Sequence, residues 1–186
     1  MATLLSPEAP FQAPQDRDML PSERRAFVRT HRTCVFAYAR RSHGPGMSVV
    51  YYVPTDEDEL LISTMAARAK ARVVERESKV SLCVLDEHWP FSYLQVYCDA
   101  VLDRDPALTV DVMMAVGWRM SGQQIPPQAR PAVEELARSE GRVVLRCKPY
   151  ETFATPLRHL HSSDQQETLT HWVSRALAWD APDSQR

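Results

Sequence analysis

The segment LLISTMAARAKARVVERESKVSLCVLD, Leu60 to Asp86, changes character twice. It opens as an apolar strand, breaks at Ser63-Thr64, runs through a short basic helix and returns to a strand. Arg68, Lys70 and Arg72 crowd the first turns of that helix, where the aligned peptide dipoles already disfavour positive charge. A cationic helix start that follows two hydroxyls points to an anion. Free backbone N–H groups at such a start are a common phosphate site. Arg grips phosphate with two parallel hydrogen bonds, and Lys adds a point charge. On spacing alone, a solvated basic helix whose cations pair with Glu75 and Glu77 at its far end is the favoured reading over an anion site.

Around this segment the chain reads mainly as strands. RTCVFAYAR, Arg32 to Arg40, alternates Cys34, Phe36 and Tyr38 with Val35, Ala37 and Ala39 on opposite faces. A Gly/Pro turn, RSHGPG, leads into MSVVYYVP, rich in β-branched and aromatic residues. The acidic turn TDEDE precedes LLIST. KVSLCVLD, the loop EHWPF and the long SYLQVYCDAVLDRD follow the basic helix, and GRVVLRCKPYETFAT supplies the last strand. Between the last two, residues 107–140 read as helical, interrupted by SGQQIPPQARP. Near the start, PSERRAFVRTH reads as a short helix with Ser22 as its N-cap. Near the end, DQQETLTHWVSRALAWD reads as an amphipathic helix with Leu169, Trp172, Val173, Ala176 and Leu177 on one stripe. Strands joined by short turns favour antiparallel pairing, and six of them can close into a barrel that removes exposed edges. A parallel α/β sheet is disfavoured because helices do not alternate with strands. The expected organisation is an N-terminal arm over 1–21, flexible or surface-hugging, a barrel domain over 22–157 and a C-terminal extension over 158–186.

Composition limits the partners. Of the 186 residues, 44% are apolar, enough for one domain with a core, and the net charge of −2 argues against a general nucleic-acid binder. No run approaches the ~18 apolar residues of a membrane span, and the N-terminus does not read as a secretory leader. A cytoplasmic location is the expectation. Cys34, Cys83, Cys98 and Cys147 form no C-x-x-C pair and read as buried, reduced thiols. There is no G-x-S-x-G elbow and no G-x-G-x-x-G fingerprint.

The order MSVVYYV, acidic turn, LLIST, ARAKARVV, KVSLCVLD and FSYLQVYCDAVL resembles the flavin/deazaflavin oxidoreductases with a split β-barrel, a superfamily that includes pyridoxamine 5′-phosphate oxidase. The likeness spans roughly Pro21 to Phe153. Arg68-Ala69-Lys70 matches the R-x-K of the actinobacterial branch that binds the deazaflavin coenzyme F420, and Asp86-Glu87 matches its acidic turn. Cys98-Asp99-Ala100 stands where that branch has G-x-A. No R-x-H follows the last strand, so vitamin B6 phosphate is not the expected substrate; RHLH, Arg158 to His161, is a superficial echo.

The resemblance implies a mainly β fold with added helices, a six-stranded antiparallel split β-barrel of the FMN-binding type, working as a homodimer. It implies an oxidoreductase that uses F420, with FMN as the alternative, on a conjugated small-molecule substrate. A non-catalytic flavin- or haem-binding protein is the competing class. By the same resemblance, the cofactor phosphate would meet Ser63, Thr64, Arg68, Ala69 and Lys70. The ring would lie along the backbone of Met47, Ser48, Val49 and Val50, and Trp89 and Tyr93 would come from the second subunit.

Other residues weigh less. His159 and His161 alternate, but no carboxylate or thiol stands at matching spacing, so no metal site is expected. His31 and His43 flank the first strand and read as surface or turn residues, with proton donation as the alternative. Met114 to Met120 reads as packing, with an apolar substrate pocket as the alternative. Trp89 and Phe91 either stack on a planar ligand or fill a subunit interface. Tyr51 and Tyr52 point to opposite faces of their strand.

Overall fold

The computed structural model describes residues 2–14, 17–88, 91–154 and 175–184. Its strands are β1 (Thr33–Tyr38), β2 (Gly46–Tyr51), β3 (Val53–Pro54), β4 (Leu60–Met65), β5 (Lys79–Asp86), β6 (Ser92–Asp103), β7 (Arg142–Ala154) and β8 (Arg175–Ala178). Its helices are α1 (Pro21–Thr30), α2 (Ala69–Val74), α3 (Pro106–Ser121) and α4 (Arg130–Ser139). All strand pairs are antiparallel, in the order β2-β1-β5-β6-β7-β4-β3, with β8 added to β7. The six expected strands are all present, and β3 and β8 join them.

The two ends of that order are consecutive in the chain. β2 pairs with β1, whereas β3 pairs with Leu60 and Leu61 of β4. The single strand expected over Met47–Pro54 therefore changes partner at Tyr52, and this change curls the sheet into a split barrel. Tyr52 is fully buried at the corner. Its N–H donates to the Arg32 carbonyl at 3.2 Å and its hydroxyl to the Val28 carbonyl at 2.6 Å.

Alternation along the strands fills the interior. Cys34, Phe36, Ile62, Leu82, Val84, Leu94, Val96, Leu145 and Cys147 face inward, and Phe27 and Val28 of α1 close the same cluster. A smaller cluster, Val53, Leu61, Val112 and Val144, seats α3 on the opposite face. Gly46 lies across from Tyr38, whose ring would be 2.3 Å from a Cβ built there, so only glycine lets that ring cover the strand.

Three local expectations are corrected. Ser22 is not the N-cap of α1, because Pro21, which has no N–H to satisfy, takes the first helical position. The Leu20 N–H goes to the Glu23 carboxylate at 2.8 Å, and Ser22 donates its N–H and hydroxyl to Asp183 at 2.8 and 2.7 Å. Ala176 and Leu177 lie in a strand, not a helix, opposite Phe153 and Thr152. β4 pairs only with Arg142–Cys147, so the far half of β7 has an open edge there, and an added strand satisfies its backbone groups. Leu169, Trp172, Val173, His159 and His161 lie outside the described residues. The third correction concerns His31, which is buried rather than at the surface.

The arm lies against the barrel: the Leu5 N–H donates to the Pro54 carbonyl at 2.9 Å and the Phe11 N–H to the Thr30 hydroxyl at 2.8 Å. Among the described residues no helix is long and apolar enough to cross a membrane.

Leu82 is fully buried in the main cluster. Leu82→Ala is expected to destabilise the fold by about 2–5 kcal/mol, through lost burial plus the cavity left behind. Urea unfolding followed by circular dichroism checks this.

Candidate cofactor site

β4 ends at Met65, Arg68 is the N-cap residue of α2, and Lys70 stands in its first turn. The helix stops at Val74, short of the MAARAKARVVERE expected from the sequence. Only Ala71, Val73 and Val74 bury an apolar face, and burial rather than propensity sustains so short a helix.

The strand period separates the two hydroxyls. Thr64 is buried on the side of Leu60 and Ile62, whereas Ser63 points to the side of Leu61. The two side chains therefore do not converge on one phosphate. Ser63 Oγ is buried with no hydrogen-bond partner, as is Ser48 Oγ on β2.

Arg68 is exposed and Lys70 half-buried, and neither forms an ion pair with a described residue. Glu75, the expected internal partner, pairs with Arg104 instead. Burial, then the nearby Arg68 charge, holds the Lys70 ammonium below the usual lysine range; Arg142 adds to this and Cys34 works against it. Lys70 thus lies near enough to Cys34 for each to feel the other, and Cys34 pairs across β1–β2 with Val50.

β2 bonds to β1 along one side, and its other side carries no strand among the described residues. The backbone groups of Met47–Val50 on that side are available to a ligand. Met47 and Val49 project outward at 68% and 74% exposure, unusual for large apolar side chains and suited to a covering ring or subunit. Ser48 and Val50 point the other way, Val50 against the main cluster. Tyr93 on β6 lies three strands from β2, roughly 14 Å across the sheet, so one chain does not bring it to Met47–Val50. Trp89 lies outside the described residues.

Cys98, in place of glycine, is fully buried at a β-bulge where the β6–β7 register shifts. All four cysteines are free, and burial raises each thiol, Cys147 to about 12, so they act as apolar fillers rather than nucleophiles. No group of three metal-ligating side chains occurs among the described residues.

Residues 20–155 match the family model described as pyridoxamine 5′-phosphate oxidase. The chain belongs to this family. Solved structures share its fold. The conserved hypothetical protein Rv2991 from Mycobacterium tuberculosis is 23% identical with a TM-score of 0.66, over 82% of this chain and 96% of that one. A pyridoxamine 5′-phosphate oxidase-related, FMN-binding protein from Nostoc punctiforme is 16% identical with a TM-score of 0.51, over 84% and 93% of the two chains. The heme storage protein HutZ from Vibrio cholerae is 18% identical with a TM-score of 0.51, over 72% and 90%. No curated protein matches the chain.

A half-buried cation without a counter-ion costs stability that a ligand recovers. Lys70→Met is expected to stabilise the ligand-free protein by roughly 0.5–1 kcal/mol. The sign follows from its lowered pKa: the unfolded chain holds that proton more tightly, so the penalty is full below the folded value and vanishes above the ordinary 10.5. The advantage of the variant should be present at neutral pH and close in the alkaline range, as read by urea unfolding at several pH values.

Proposed function

We propose that this chain is a homodimeric oxidoreductase that binds the deazaflavin coenzyme F420 between its subunits. The observation that carries the reading is the cation pair at the start of α2, exposed Arg68 and half-buried Lys70, neither ion-paired with a described residue. Such a pair fits a phosphate. Arg68 offers a two-pronged hydrogen-bond fork, and Lys70, already partly stripped of water, loses little more on contact. The backbone of Met47–Val50 would orient the ring plane, and Met47 and Val49 would shield it from water together with the second subunit, including its Trp89 and Tyr93.

When bound, the deazaflavin ring supplies hydride chemistry toward a conjugated organic substrate. The protein's part is binding, orientation and exclusion of water. FMN would use the same phosphate contacts, and the FMN-binding and heme storage proteins of this fold make the visible spectrum of the ligand-loaded protein the first discriminator.

Arg68→Ala combined with Lys70→Ala is expected to weaken F420 binding at least tenfold, about 1.4 kcal/mol. Calorimetric titration at fixed salt measures this, and unchanged affinity removes the reading. The protein is further expected to remain dimeric on dilution in light scattering; a monomer that still holds cofactor tightly contradicts the shared site.

A further inference from the structure

A cavity of about 650 Å³, not lined by Arg68 or Lys70, opens between the arm at Pro7–Pro10, the start of β1, the end of β5 and the C-terminal end of α3. His31, Asp86 and Arg119 line it.

Arg119 sits on the buried stripe of α3 with Thr109 and Val112 and is only 2% exposed. One guanidinium nitrogen, Nη2, donates to the Leu5 carbonyl of the arm at 3.0 Å. Nε and Nη1 are buried with no partner. The carboxylate of Glu8, exposed on the arm, acts on the Arg119 charge from a distance, but no ion pair forms between them. A buried guanidinium with two unmet donors is costly, and an anion meets both at once.

His31 completes the arrangement. It is 6% exposed and stacks on Phe27 with ring centroids 4.0 Å apart. Its Nδ1 lies 2.7 Å from the Phe27 carbonyl, which only accepts, so Nδ1 carries the proton. In the neutral ring Nε2 is then an acceptor, and it too is buried without a partner. Asp86 Oδ2 stands 3.9 Å from that nitrogen, while Asp86 Oδ1 accepts from the His88 N–H at 3.0 Å and lies 2.7 Å from its ring Nδ1. Two acceptors at this spacing await one donor between them.

We propose that this cavity binds a small organic anion, carboxylate or phosphate, that also carries a hydroxyl or amino group: Arg119 Nε and Nη1 hold the anion, and His31 Nε2 with Asp86 receives the donor. Val49 forms one wall, so such a ligand sits beside β2. The assignment does not rest on the cofactor reading.

The test is nuclear magnetic resonance of the ¹⁵N-labelled full chain, following the Arg119 Nε–H and His31 ring signals. Acetate, glycolate, inorganic phosphate and glycerol phosphate are titrated separately. At least one anion is expected to shift Arg119 saturably, with carboxylate and phosphate affinities telling which group is preferred. The hydroxylated member of that pair is expected to bind more tightly and to shift His31 Nε2. His31→Phe should abolish that preference while leaving the plain anion bound, and Arg119→Gln should weaken binding at least tenfold. If Arg119→Gln does not fold, the wild-type titrations and His31→Phe still decide. Absence of any saturable shift means that bridging waters satisfy these atoms, and overturns the proposal. So does binding that survives Arg119→Gln, or that disappears in the Arg68→Ala, Lys70→Ala variant, which would place the anion at the other site.

Discussion

The change of partner at Tyr52 is the constraint from which the rest of the structure follows. A twisted antiparallel sheet must either leave two edges open or close on itself. Here one extended segment serves both ends of the sheet, pairing with β1 before Tyr52 and with β4 after it. The corner residue is fully buried, and its phenol is anchored to the end of α1. A residue at such a corner must fill space and satisfy its own polar tip, and tyrosine does both. Among the described residues closure is incomplete, because no strand pairs with β2 on the side away from β1. That gap leaves backbone groups and the side chains of Met47 and Val49 open on the same short strand.

The electrostatics follow from this closure. Several arginines are engaged by carboxylates: Arg29 by Asp58, Arg130 by Asp111, Arg142 by Glu140, Arg146 by Glu59 and Asp103. Lys70 differs in being half-buried with no ion pair to a described residue, the Glu75 of its own helix being taken by Arg104. Arg119 differs again, being almost wholly enclosed with only one of its nitrogens bonded. Unmet polar groups in a folded chain mark places where stability has been given up. Among the described residues such atoms lie at Ser63 near the end of β4, at Ser48 on β2, and at His31 and Arg119 beneath the N-terminal arm.

Much of the barrel was legible in the residues themselves. Alternation in Cys34–Tyr38 and the β-branched content of Met47–Pro54 identify strands because period two is written locally. The run Arg68-Ala69-Lys70 located a cationic corner because clustered charge is also local, whereas the break expected at Ser63-Thr64 falls inside β4, which stays paired to β7 as far as Met65. The partner switch at Tyr52 was not legible, since Met47–Pro54 reads as one uninterrupted strand and only its two neighbours divide it. Nor was β8, since Ala176 and Leu177 suit a helix stripe as well as they suit the open edge of β7. Arg119 left one trace: a charge falling on the apolar spacing of Thr109, Val112 and Val116.

The sequence by itself determined the class of fold, the family resemblance and the presence of a basic corner, because hydrophobic period, turn residues and clustered charge act over a few neighbouring residues. The tertiary structure alone decided which groups are left unpaired. Ser63 and Thr64, adjacent in the chain, were sent to opposite faces of β4, and His31 and Arg119, far apart in the chain, were brought to one cavity. Whether a polar atom finds a partner depends on what packs against it, and that is a property of long-range contacts rather than of local order.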